Sequence, residues 1–145
     1  MIPEKSVQIM KQKGYRALFP IQQACIGPIF DRHDIIARDL TGSGKTLAFG
    51  VPLIEYLRKN NFLKTGKLQA IMLAPTRELA LQVSHISKRL SKYLTKIKTM
   101  VTTGGTLLKE DIIRMYQSIH ILIGTPGRIL DLLVKKIPKF ENKMV

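Results

Sequence analysis

Ala37-Arg-Asp-Leu-Thr-Gly-Ser-Gly-Lys-Thr46 is the stretch on which the reading of the whole chain turns. Asp34-Ile-Ile-Ala37 leads into it, a short apolar run that predicts a buried strand over 34–38. Leu47-Ala-Phe-Gly-Val-Pro-Leu-Ile-Glu-Tyr-Leu57 follows and is apolar almost all round, which predicts a buried helix kinked at Pro52. Strand, glycine-bearing turn and helix together make the frame of a phosphate-binding loop. Across Thr41, Gly42, Ser43 and Gly44 the backbone N–H groups can wrap phosphate oxygens, aided by the positive end of the helix. Lys45 can reach the outer phosphates and the Thr46 hydroxyl can ligate Mg²⁺, the two residues with a catalytic role here. One position is odd: where the general pattern has glycine, five residues before Gly44, this chain has Asp39. A carboxylate there repels a triphosphate unless its side chain points away or is hydrogen-bonded.

Composition narrows the setting. The 145 residues make at most one domain, and a hydrophobic content of 45% supplies a core. Cys25 is the one cysteine, which excludes an internal disulfide; its apolar neighbours predict a core thiol. Met1-Ile-Pro-Glu-Lys-Ser-Val7 lacks an apolar signal core, and no run approaches the ~18 apolar residues of a membrane span. A soluble, intracellular chain without a membrane partner is expected. His33, His85 and His120 lie far apart with no ligand partners nearby, which argues against zinc. The net charge of +14, from 24 basic and 10 acidic residues, suits a polyanionic partner. Codon bias competes as an explanation, because 16 Lys and 18 Ile are what an AT-rich genome produces together. Charge alone therefore only tilts the balance towards nucleic acid.

Taken in order, residues 3–13 predict a short amphipathic helix ending at Gly14, and a second helix runs from Pro20 towards Phe30, bent or ended by Pro28. Residues 58–68 form a basic surface connection. Gln69–Ala74 predicts a buried strand, and a helix runs from Thr76 to Leu94 with Leu79, Val83, Ile86, Leu90 and Leu94 on one inward face. Lys98–Thr102 predicts a third strand, Leu108–Gln117 a helix, His120–Gly124 a fourth strand and Ile129–Lys135 a last helix. A fifth strand is expected to begin after Phe140. Strands alternate with helices throughout, which defines an α/β fold with a mostly parallel sheet.

The order Gly14…Gln22, Thr41–Thr46, Pro75-Thr-Arg-Glu-Leu-Ala80, Gly104-Gly105 and Thr125-Pro-Gly-Arg128 resembles the first RecA-like domain of DEAD-box ATP-dependent RNA helicases, a P-loop NTPase fold. The resemblance covers nearly the whole chain, and Leu18-Phe-Pro-Ile-Gln22 looks most like a nucleolar branch of that family. It implies binding of ATP with Mg²⁺, with Tyr15 and Gln22 on the adenine side. A carboxamide donates and accepts together, which suits an adenine edge. It further implies that Pro75, Thr76, Arg77, Gly104, Gly105, Thr125, Gly127 and Arg128 meet the RNA backbone, with Arg77 and Arg128 adding charge. Plainer alternatives are an ordinary turn at Thr125–Gly127 and an ion pair of Arg77 with Glu78 or Asp131. Such contacts to backbone alone carry no sequence preference.

Phe19, where the family has Thr or Ser, and Asp39 depart from the family pattern. The family's Asp-Glu-Ala-Asp sequence is expected directly after Val145, which would make this chain an incomplete N-terminal domain lacking the second RecA-like domain. Glu110, Asp111 and Asp131 lie in helical stretches and do not fit the missing acidic roles. The expected parent reaction is ATP hydrolysis coupled to local RNA strand separation, with the nucleus, nucleolus or cytoplasm as compartment. The alternatives are a non-catalytic nucleotide- or RNA-binding remnant, and another P-loop enzyme such as a DNA helicase or nucleotide kinase.

Overall fold

Ile121-Leu-Ile-Gly124 is apolar at every side chain, and such a strand is stable only with cover on both faces. In a computed structural model, which describes residues 4–12, 14, 16–60, 67–94 and 96–135, this segment is the middle strand of a three-stranded sheet. In chain order the elements are α1 (Glu4–Gln12), α2 (Pro20–Phe30), α3 (Lys45–Lys59), β1 (Ala70–Leu73), α4 (Arg77–Leu94), β2 (Thr99–Thr102), α5 (Leu108–Met115), β3 (Ile121–Gly124) and α6 (Pro126–Val134). The order across the sheet is β1-β3-β2, all parallel, with Leu73 and Thr102 both in register with Gly124. The α/β class and the parallel sheet are as expected.

Alternation along β3 sorts the helices into two layers. Ile121 and Ile123 face Val51, Ile54 and Leu57 of α3 and Ala80 and Leu90 of α4. Leu122 faces the other way, onto Met115 of α5 and Ile129 and Leu132 of α6. Cys25 is buried, as its neighbours predict.

Two expectations need correction, and a third in part. Residues 33–40 form no strand: they have no regular structure and are exposed, with the Ile36 side chain fully in solvent. A strand exists only as one side of a ladder, and none of the three described strands pairs with this segment. In β1, Met72 is buried but Leu73 is 60% exposed, because only β3 borders it. Helix α2 spans Pro20–Phe30 as expected, with Pro28 in its last turn.

The inward face of α4 holds Val83, Ile86 and Leu90 as expected, but not Leu79. Leu79 is 42% exposed, while Ala80, Ser84, Ser87, Leu90 and Ser91 are buried, with Val83 and Ile86 packed at the edge of that face. Small residues let a helix lie close to a sheet. The serine cost is partly met within the helix, since Ser91 Oγ donates to Ser87 O at 2.8 Å. The expected fifth strand and the 61–66 part of the basic connection lie outside the described residues.

Candidate nucleotide and nucleic-acid site

The phosphate loop runs from the end of the exposed 33–40 segment into α3. Gly42 and Gly44 have φ of +83° and +81°, a region that L side chains avoid. At Gly44 the need is doubled: a methyl group there would lie 2.3 Å from Gln22 Nε2. Gln22 is 3% exposed; its Nε2 donates to Gly44 O at 3.1 Å and its Oε1 accepts from Phe19 N–H at 3.0 Å. Both ends of the carboxamide expected on the adenine edge are thus engaged within the protein, clamping the start of α2 to the loop. The Phe19 ring offers no cap to α2, so Gln22 is what meets the Phe19 N–H. Tyr15 lies outside the described residues.

Lys45 Nζ curls back to donate to Asp39 O at 2.9 Å and to Leu40 O. Asp39 Oδ1 accepts from Leu40 N–H at 2.8 Å, so this carboxylate is tied into the loop's own turn. The fit to a phosphate group rests on three features. No side chain caps the N-terminus of α3 at Gly44. Its first N–H groups therefore lack partners along the helix. Ser43 Oγ is enclosed without a hydrogen-bond partner among the described residues. For Mg²⁺ the protein offers the Thr46 hydroxyl, and no group of three or more His, Cys, Asp or Glu among the described residues could hold a metal on its own. Phosphate oxygens and water commonly supply much of a Mg²⁺ ion's remaining coordination.

The three remaining motifs converge because their strands are neighbours. Pro75–Arg77 follows β1, Gly104-Gly105 follows β2 and Thr125–Arg128 follows β3, so all three leave the same edge of the sheet. Adjacent strands stand ~4.8 Å apart. Thr76 Oγ1 accepts from Leu79 N–H at 3.3 Å and starts α4. Arg77 is exposed and lies against the glycine turn: a methyl group at Gly105, where φ is +88°, would stand 2.8 Å from Arg77 Nη1. Thr125-Pro126-Gly127 forms the first turn of α6, earlier than the sequence predicts. Pro126 takes the position where proline's fixed φ suits a helix, and the helix lacks a side-chain cap.

Arg128 departs from expectation. It is 9% exposed, and its Nε and Nη2 donate to Asp111 Oδ2 at 3.0 and 2.9 Å. Its Nη2 also donates to Thr106 O at 2.7 Å. Its charge is spent on a buried partner and is not presented to solvent. The expectation that Arg128 adds free charge is therefore corrected, and Asp111, set aside on its sequence context, is the missed residue. A signal was available. Leu108, Ile112 and Met115 mark the inward stripe of α5, and Asp111 falls on it at the same spacing. A carboxylate on an apolar stripe needs a buried partner.

A parallel sheet with a phosphate loop at the head of one helix, and exposed amide-bearing turns at its strand ends, defines a nucleotide-binding α/β domain of the RecA-like kind. The pattern of the DEAD/DEAH box helicase family matches residues 19–144, and the chain belongs to that family. It is 49% identical over 126 residues to DEAD-box ATP-dependent RNA helicase 8 of Arabidopsis thaliana, covering 87% of this chain and 24% of that protein. It is 47% identical over 131 residues to the ATP-dependent RNA helicase cgh-1 of Caenorhabditis elegans, covering 90% of this chain and 29% of that one. The structure of Mss116p (NTE and C-tail double deletion) bound to ssRNA and AMP-PNP superposes with a TM-score of 0.83 at 34% identity, over 92% of this chain and 27% of that one.

Proposed function

We propose that this chain is the leading ATP- and RNA-binding part of an ATP-dependent RNA helicase, its first RecA-like domain, with an adenine-recognition segment at 14–22. The parent reaction is ATP hydrolysis coupled to local opening of RNA duplexes. The observation that carries this reading is the meeting of three motif-bearing loops at one edge of a parallel sheet, in a chain whose glycine loop is clamped by Gln22. Thr41, Gly42, Ser43 and Gly44 surround the phosphates, Lys45 swings from its loop carbonyls to meet them, and Thr46 faces Mg²⁺. Tyr15 and Gln22 serve the adenine, Gln22 through the second N–H and the second lone pair that its contacts to Gly44 and Phe19 leave over. Pro75, Thr76, Arg77, Gly104, Gly105, Thr125 and Gly127 meet the RNA backbone through amides and the Arg77 charge, with Arg128 behind them.

The protein acts inside the cell. The nucleolar branch suggested by Leu18–Gln22 draws no support from relatives such as cgh-1 and the DHH1 helicase of Meyerozyma guilliermondii. Among the described residues no helix is long and apolar enough to cross a membrane. The reading is tested by ATPase assays on the full-length protein with RNA and with DNA of equal length. RNA-stimulated turnover that Lys45→Ala abolishes is expected; DNA-stimulated turnover would point to a DNA helicase, and RNA binding without turnover to a non-catalytic protein.

A further inference from the structure

One carboxylate oxygen ties the polyanion-facing edge together. Asp111, 2% exposed on α5, turns Oδ2 towards three segments at once. Thr102 at the end of β2 donates its hydroxyl at 2.5 Å. Arg128 in the first turn of α6 donates through Nε and Nη2. Thr106, just past the glycine turn, places its Oγ1 3.4 Å away. The same Arg128 fork reaches back to Thr106 O and Thr106 Oγ1, at 2.7 and 3.1 Å, and the Thr106 hydroxyl in turn donates to Thr103 O at 3.1 Å. The Gly104-Gly105 turn and the Thr125–Gly127 turn are therefore fixed to each other from below by a buried, neutralised pair.

We propose that Asp111 is a positioning residue for RNA binding: through Arg128 it holds these two turns at the spacing a nucleic-acid backbone requires, while Arg128 itself touches no phosphate. The inference rests on the RNA-backbone reading above. Its physical core is that amides arranged in advance bind without first losing the freedom of two loops. A guanidinium already forked onto a carboxylate in a dry site has no comparable partner to gain in solvent-exposed phosphate.

The test uses the full-length protein, single-stranded RNA and fluorescence anisotropy over a range of salt. Asp111→Asn is expected to weaken RNA binding roughly tenfold, as loop misplacement does. The slope of log affinity against log salt should stay unchanged, because no phosphate contact is lost. Arg128→Lys, which keeps the charge but not the fork, should lose as much. Thr102→Val, a milder change of nearly the same shape, should lose less in the same direction. Binding of a fluorescent ADP analogue should be unaffected in all three, which separates positioning from general damage and keeps a readout if Asp111→Asn folds poorly.

Tighter RNA binding by Asp111→Asn, with a slope steeper by about 0.7 for one added phosphate contact on a single strand, would overturn the proposal, as would full affinity in Arg128→Lys. Equal loss of RNA and nucleotide binding in Thr102→Val would also overturn it. Failure of the unaltered protein to bind RNA at all would instead refute the underlying functional reading, and the inference with it.

Discussion

Gly44→Ala combined with Gln22→Ala tests whether the start of α2 and the glycine loop before α3 form one mechanical unit. An alanine held at the Gly44 φ of +81° costs roughly 1–2 kcal/mol for its left-handed backbone alone. Its methyl group would also stand 2.3 Å from Gln22 Nε2 and 3.1 Å from Phe19 Cδ2. Phe19 is 55% exposed and yields easily, so Gln22 decides the outcome. Once displaced, Gln22 loses its bonds to Gly44 O and to Phe19 N–H. At ~0.5–1.5 kcal/mol each, these contribute roughly 1–3 kcal/mol. Gly44→Ala should therefore destabilise the first domain by roughly 2–5 kcal/mol on its own, but by only the backbone share of ~1–2 kcal/mol once Gln22 is already alanine. Urea unfolding of the first domain, carried through its full extent, gives all four corners of the cycle. A less-than-additive pair, coupled by roughly 1–3 kcal/mol, is expected. Additivity within ~0.5 kcal/mol would refute the contact between Gln22 and the loop.

Two further outcomes follow from the same geometry. Asp39→Asn keeps the oxygen that accepts the Leu40 N–H while removing the charge; nucleotide binding should tighten a few-fold at low salt, with the gain shrinking as salt screens it. Unchanged affinity at every salt concentration would mean that the carboxylate is too far from the phosphates to matter. Ser87, 1% exposed on the sheet-facing side of α4, should tolerate Ser87→Ala, whereas Ser87→Leu should lower stability by ~1–3 kcal/mol through overpacking. A thermal melt that moves with neither change would return the serines to a solvent-facing role.

The sequence carried the fold class because hydrophobic period and turn residues act locally. The run at 121–124 announced a strand covered on both faces, and Pro20, Gly14 and the Gly-Lys-Thr turn marked helix boundaries that the structure places within a residue or two. The glycine turn at the head of α3 was legible for the same reason: glycines, lysine and helix start are contiguous in the chain. Where the chain erred, it was over what lies alongside. Residues 34–38 have the composition of a strand, but a ladder needs a partner, and no described strand supplies one. On α4 the predicted face held at Val83, Ile86 and Leu90, yet close packing on the sheet left Leu79 out and brought in Ala80 and the serines.

Arg128 and Asp111 show the limit most clearly. Asp111, in the first turn of α5 and on its inward stripe, signals that a partner is needed but not which one, and Arg128 stands in the first turn of another helix. Their pairing spans 17 residues. It exists because the order β1-β3-β2 sets the end of β3 beside the end of β2. Sequence determined which residues could bind phosphate. Only the tertiary structure decided which charges remain free to do so, because neutralising a buried charge depends on a neighbour that the sheet, not the chain, brings near.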